Sequence, residues 1–203
     1  MNGRQAGREE LLIKMRLKKI NAILGLLLMA ACLTHIVFEI FDGLSGWEKQ
    51  TYVAMTARIC GTIAIFHVLI SIGMIFFVHD KKGLGAYPGK NMGTLIQRIS
   101  GLMMIILLAI HVRLSQIISA HQEEETGFFI LCITVMILFY LTVFVHIALS
   151  FTRALITLGA ITSRKKKDQL DVVLRVITGL GFLASSILMT WAYSQLLGTG
   201  GGA

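Results

Sequence analysis

Four histidines stand inside long apolar stretches of this 203-residue sequence, one in each stretch: His35, His67, His111 and His146. An imidazole inside a bilayer is costly, so by default it indicates a function. It can ligate haem iron or another metal, relay protons, or make a structural hydrogen bond between helices. The other two histidines, His79 and His121, adjoin charged residues, so we expect them to be solvated.

The composition shows what kind of element carries these histidines. Apolar residues make up 55% of the chain and charged residues 15%, and the mean hydropathy is +0.75. A soluble domain has about 25% charged residues, so neither a soluble nor a disordered protein fits. The net charge of +8 does not indicate a nucleic-acid partner, because the basic residues lie between the apolar runs. The three cysteines lie inside those runs, so no disulfide framework follows.

Five apolar runs are each long enough to cross a bilayer as a helix, which needs about 20 residues. None alternates with period two, as the strands of a membrane barrel would. The sequence therefore predicts one all-α membrane domain over residues 1–203, a bundle of five transmembrane helices preceded by a basic leader over residues 1–20. The predicted spans cover about residues 21–41, 53–78, 95–118, 128–157 and 172–197.

The basic residues are unevenly distributed among the loops. They concentrate before span one, between spans two and three, and between spans four and five, whereas the other loops hold Lys49 alone. Loops rich in Lys and Arg stay in the cytoplasm, so this pattern predicts an inside N-terminus and an outside C-terminus. Within the leader, Glu9 to Lys19 is expected to form a helix on the inner face. That helix either anchors to anionic lipid or docks a protein.

The depth of each histidine follows from the helical rise of about 1.5 Å per residue. On the two outward-running spans, His35 and His111 lie roughly 21 and 24 Å from the inner end. On the two inward-running spans, His67 and His146 have descended roughly 21 and 27 Å. The four histidines therefore form one pair near the outer face and one near the inner face.

One facing pair of histidines at each of two depths is typical of two bis-histidine b-type haems. Such six-coordinate haems leave no site for oxygen and carry electrons. Zinc prefers three or four clustered ligands, which neither depth offers. A proton relay would use similar residues but has no reason to pair them by depth.

Two glycines and three polar residues add to this interpretation. Gly25 and Gly101 each precede the histidine of their own span by ten residues, which places them at the depth of the inner pair. A missing side chain there would make room for a porphyrin, although ordinary small-residue packing also explains it. Arg153 and Arg98 lie near inner helix ends, where each could pair with a haem propionate or with lipid phosphate. Ser100 follows the same helix face as the span-three histidine.

These residues resemble a known family, the di-haem cytochrome b membrane anchor of succinate dehydrogenase and fumarate reductase, of the five-helix, single-subunit type. The resemblance covers spans one to four. It rests on the span number, the inside N-terminus and one histidine on each of the first four spans, spaced 32, 44 and 35 residues apart. The segment Gln97-Arg98-Ile99-Ser100-Gly101 is also similar to a short motif of the family.

The resemblance implies a subunit of an oxidoreductase in the bacterial cytoplasmic membrane. It implies two haem b groups, the distal one held by His35 with His111 and the proximal one by His67 with His146. Flavoprotein and iron–sulfur partner subunits would bind on the cytoplasmic face and carry the flavin chemistry. The haems would connect them to a membrane quinone, usually menaquinone.

The family resemblance also implies a place for quinone chemistry. Some members oxidise quinol near the outer face with a glutamate. Glu39, one turn beyond the span-one histidine, is the first candidate here, and Glu48 is the second.

Two alternatives remain open from the sequence. One is a di-haem cytochrome b that serves another membrane dehydrogenase, of the formate dehydrogenase or hydrogenase type. The other is a haem-free membrane protein with structural histidines, which would be colourless when purified.

Overall fold

The computed structural model describes residues 3–45, 50–77, 88–120 and 126–199. Within these ranges the chain forms five α-helices and no strand, which confirms the all-helical prediction. The helices are α1 (Gly3–Leu44), α2 (Gln50–Phe77), α3 (Pro88–Ala120), α4 (Thr126–Leu158) and α5 (Arg164–Thr199).

All five helices are long and apolar enough to cross a membrane. Their apolar segments cover Gly7–Leu44, Thr51–Met74, Met92–Leu114, Ile130–Leu158 and Arg164–Ala192. Large apolar side chains also cover the outside of the bundle: Leu69 is 61% exposed and Ile187 is 66% exposed. An apolar outer surface suits lipid rather than water, so the chain has the features of a multi-pass membrane protein.

The first four helices form a bundle that is open on one side. Helix α1 contacts α2 and α4, and α4 contacts α3, whereas the described parts of α2 and α3 do not pack against each other. The diagonal pairs, α1 with α3 and α2 with α4, also lack direct backbone packing in these ranges. Helix α5 packs outside, against α1 and α4. Only side chains can therefore bridge each diagonal.

The tightest packing lies where α1, α4 and α5 meet. Its buried members are Ile36, Met136, Tyr140, Phe144 and Met189. Tyr140 is only 1% exposed and brings an aromatic ring and a hydroxyl into the middle of this cluster. This packing holds α4 against α1. It thereby positions the α1–α2 hairpin relative to the α3–α4 hairpin, and the histidines of each hairpin face those of the other.

The turn between α4 and α5 shows why α5 reverses direction. Gly159 has a φ of 81°, a left-handed conformation that glycine adopts without a steric penalty. Its N–H donates to the carbonyl of Ile156, and the N–H of Ala160 donates to that of Leu155. These two bonds are the Schellman motif, which satisfies carbonyls at a helix end.

The N-terminal leader is helical, as the sequence predicts for Glu9 to Lys19, and it is continuous with the first span. Helix α1 runs without interruption from Gly3 to Leu44, so the leader continues the axis of the first span. The physical reason lies in its composition, because Glu, Leu, Lys and Arg all favour helix and no Pro or Gly interrupts residues 8–24. An ion pair between Glu10 and Lys14 (2.5 Å) supports the same continuous helix.

Candidate functional site

The structure brings His35 of α1 and His111 of α3 together across one diagonal of the bundle. Their ring centroids are 6.4 Å apart, and the ring planes cross at 75°. Because the two helices do not pack directly, these imidazoles are the groups that span the gap. We call them the first pair.

The hydrogen bond on His35 identifies its free nitrogen. Nδ1 of His35 lies 3.2 Å from the Oγ1 of Thr56 on α2. That hydroxyl already donates its one proton to the carbonyls of Tyr52 and Val53, each at 3.0 Å. It can therefore only accept from His35, so Nδ1 carries the proton and Nε2 keeps its lone pair. This is the tautomer in which an imidazole binds a metal through Nε2.

His111 is oriented in the equivalent way from α4. Its Nδ1 lies 3.0 Å from the sulfur of Met136, which is an acceptor only. The ring also stacks on Phe139, with centroids 5.4 Å apart and planes at 22°. Both members of the first pair therefore have Nδ1 occupied as a donor and Nε2 available.

The second pair consists of His67 on α2 and His146 on α4, which lie close enough to interact electrostatically. Nδ1 of His146 lies 3.0 Å from the Oγ of Ser100. That hydroxyl donates to the carbonyl of Gln97 at 3.0 Å, so it accepts from His146 and leaves Nε2 free.

His67 is held less firmly than the other three histidines. Its buried Nδ1 makes no hydrogen bond of good geometry within the described ranges. The backbone carbonyl of Asn21 is close enough to His67 to interact weakly with its ring as a hydrogen-bond acceptor. A buried imidazole nitrogen without a good partner is costly, so His67 is the least well satisfied of the four membrane histidines.

Two glycines give the second pair its space. A Cβ on Gly25 would lie 3.3 Å from Cε1 of His67, and a Cβ on Gly101 would lie 3.4 Å from Cε1 of His146. Each glycine therefore faces one imidazole of the second pair. From the sequence, these glycines were expected to make room for a porphyrin. In the structure, each of them instead makes room for a histidine ring.

The two helical hairpins repeat the same contacts. The Oγ of Ser71 donates to the Oδ1 of Asn21 at 2.9 Å, and the amide of Gln97 donates to the Oγ of Ser150 at 2.9 Å. Each amide residue precedes the glycine of its helix by four positions, and each serine follows the histidine of the partner helix by four. Hairpin α1–α2 and hairpin α3–α4 are therefore structural repeats.

Sequence reasoning missed this repeat, although a numerical signal was present. The residues of α1 and α3 correspond at an interval of 76 positions, from Gly25 to Gly101 and from His35 to His111. Residue identities between the hairpins are few, so the repeat becomes visible only through its contacts.

The first pair has the separation that a bis-histidine iron site requires. An iron bound by two Nε2 atoms at about 2 Å, with each ring centroid about 1 Å behind its nitrogen, needs centroids about 6 Å apart. The observed 6.4 Å agrees with this separation. The separation of His35 and His111 therefore fits the two imidazole ligands of a bis-histidine haem.

The two arginine candidates have different surroundings. Arg153 reaches from α4 across to α3, where its Nη1 donates to Thr94 at 3.2 Å and also to the side-chain oxygen of Gln97. Gly93 makes room for this guanidinium, because a Cβ there would lie 2.8 Å from Nη2. Arg98 is exposed on α3.

The two glutamate candidates for a quinone site also differ. Glu39 is 7% exposed and accepts a hydrogen bond of 3.2 Å from the hydroxyl of Tyr140, inside the packed α1–α4 contact. Glu48 lies outside the described residues, as do His79 and His121. A cavity of about 220 Å³ at the same end of α1 is lined by Phe38, Phe41, Asp42 and Ser45, and Glu39 is not part of its lining. Sequence reasoning missed Asp42 as a buried residue, since it stands at the end of an apolar run.

Within the described ranges, no three or more His, Cys, Asp or Glu side chains gather in a group that could hold a metal ion. No protein-family model, curated protein or solved structure matches this chain.

Proposed function

We propose that this chain is the di-haem b membrane anchor subunit of a succinate:quinone oxidoreductase or quinol:fumarate reductase. The observation that carries the proposal is the first pair, His35 and His111, 6.4 Å apart with each Nδ1 held as a donor. Structural histidines would be expected to use their nitrogens in hydrogen bonds to neighbouring helices. Here one nitrogen of each ring is kept for another ligand.

The roles of the chain's residues follow from their contacts. The first pair ligates one haem through Nε2, while Thr56 and Met136 hold the ring orientations. The second pair ligates the other haem, with Ser100 orienting His146. Two bound b haems would supply one-electron transfer across the bundle.

The cations at the end of the α3–α4 hairpin suit the acidic edge of a haem. Arg153 is half-buried and already directed toward α3, so we assign it to a propionate of the haem held by the second pair. Arg98 is exposed and is better placed for a lipid phosphate or for a partner subunit.

The charge pattern supports an orientation and a membrane. Loops rich in Lys and Arg place the N-terminus and the second pair toward the cytoplasm and the C-terminus outside. The cytoplasmic face would then bind the iron–sulfur and flavoprotein subunits, in a bacterial cytoplasmic membrane. On this assignment Glu39, buried beyond His35 and bonded to Tyr140, handles protons for a quinone, with menaquinone as the expected species.

The serine and threonine that orient the histidines give a paired prediction. Thr56→Val removes the acceptor for His35, so it should weaken only the first haem, by about 10- to 100-fold in affinity. Ser100→Ala removes the acceptor for His146 and should weaken only the second haem by a similar factor. Haem titration of the apo-protein, followed by absorbance, measures both effects. Each variant serves as the control for the other, and equal losses at both haems would contradict the assignment.

A reduction experiment tests the assignment to a succinate or fumarate enzyme. The tagged chain is purified with its native partners in mild detergent, free of the quinone pool. Succinate should then transfer electrons to the b haems, so that the absorption bands of reduced haem b appear. Formate and hydrogen should not produce these bands. Reduction by formate or hydrogen but not by succinate would instead identify the cytochrome b of another dehydrogenase.

A further inference from the structure

Two of the three cysteines face each other inside the apolar part of the bundle. The Sγ atoms of Cys32 on α1 and Cys60 on α2 are 2.9 Å apart. Both residues are free thiols in the structure, and both are half-buried. A disulfide bond is about 2.05 Å long, so each sulfur would need to move only about 0.4 Å to form one.

The environment of this thiol pair suits a lipid-soluble reagent. Leu33, next to Cys32, is 39% exposed, and Ile59, next to Cys60, is 46% exposed. The pair therefore lies at a helix seam flanked by side chains that face lipid. A quinone dissolved in the bilayer can approach the pair from this lipid-facing side.

The electron count of a dithiol also matches a quinone. Oxidation of two thiols breaks two S–H bonds, forms one S–S bond and releases two electrons and two protons. A quinone takes up two electrons and two protons to become a quinol. A b haem takes only one electron at a time and no proton, so it is the poorer acceptor.

We propose that Cys32 and Cys60 form a redox-active dithiol whose oxidant is a membrane quinone. Their oxidation yields a disulfide between α1 and α2 and one quinol. Cys32 precedes His35 by three residues and Cys60 follows Thr56 by four, so the bridge would join the two helices one turn from the His35–Thr56 hydrogen bond. The proposal rests on the proposed function only in naming a quinone, and it requires no haem.

The test uses the purified full chain in liposomes under anaerobic conditions, with duroquinone as the probe. Its ring carbons are all substituted, so it oxidises thiols without adding to them. After denaturation, alkylation should count three thiols before treatment and one afterwards. Mass spectrometry should find the peptides of Cys32 and Cys60 joined, and quinol should form in equal amount.

Two variants control the thiol count. Cys132→Ser keeps the pair and should fall from two thiols to none, whereas Cys32→Ser should keep its two thiols throughout. Three thiols remaining in the wild-type chain after duroquinone would overturn the proposal, even if copper phenanthroline forced the bridge. His67→Ala receives the same treatment, and its haem content is measured separately. Because the dithiol requires no haem, its thiol count should fall from three to one whether or not the haem assignment is correct.

Discussion

Replacing His35 and His111 together should remove no more haem than replacing either one alone. The two rings face each other 6.4 Å apart, so on our account they hold the same iron. Loss of one axial ligand already releases that haem, and the second substitution then has nothing further to remove. Each single variant and this double variant should retain one haem per chain, compared with two in the wild type.

A double variant that crosses the pairs should behave differently. His35→Ala combined with His67→Ala removes one ligand from each proposed haem, so the chain should retain none. Haem per chain is measured by pyridine haemochrome against protein concentration. His121→Ala, outside the apolar spans, serves as the control and should retain both haems. If the His35 and His111 double variant lost both haems, the proposed pairing would be wrong.

The second large effect is expected from Gly101→Val. A Cβ at this position would already lie 3.4 Å from Cε1 and 3.7 Å from Nδ1 of His146, and the methyl groups of valine reach further. The imidazole cannot retreat freely, because its Nδ1 is bonded to Ser100. An overpacked site typically costs about 1–3 kcal/mol, which corresponds to a loss of about 10- to 100-fold in haem affinity.

The haem lost should be the one held by the second pair, and Gly25→Val should release the same haem through His67. Gly61→Val is the matched control on α2, because nothing lies within 4 Å of a Cβ built there. It should retain both haems. Haem content and the reduced-minus-oxidised spectrum of each variant provide the measurement. Retention of both haems by Gly101→Val would show that the glycine does not serve the histidine site.

The sequence predicted the five helices and the facing of His35 and His111, because both depend mainly on position along a single helix axis. Apolar length sets the span, and a constant rise per residue sets the height. The sequence did not predict which neighbour orients each ring. Thr56 and Met136 contact His35 and His111 from adjacent helices, so their roles depend on packing between helices.

The surroundings of the two arginines also depend on packing between helices, which the sequence of a single helix does not show. Arg98 and Arg153 look equivalent in sequence, since each stands near the inner end of an apolar span. In the structure Arg98 is exposed, whereas Arg153 enters the α3–α4 contact because Gly93 leaves it space. The sequence also did not predict the proximity of Cys32 and Cys60. The two sulfur atoms meet because of the relative rotation of α1 and α2, which depends on packing between the helices.

The most direct test of the account is the visible spectrum of the purified chain, dithionite-reduced minus oxidised, with pyridine haemochrome quantitation. It should be recorded for the wild type and for His67→Ala, after expression with adequate haem supply. The account predicts two b haems per wild-type chain and one in the variant. A colourless wild-type protein would contradict it, and the four membrane histidines would then have a structural or proton-handling role.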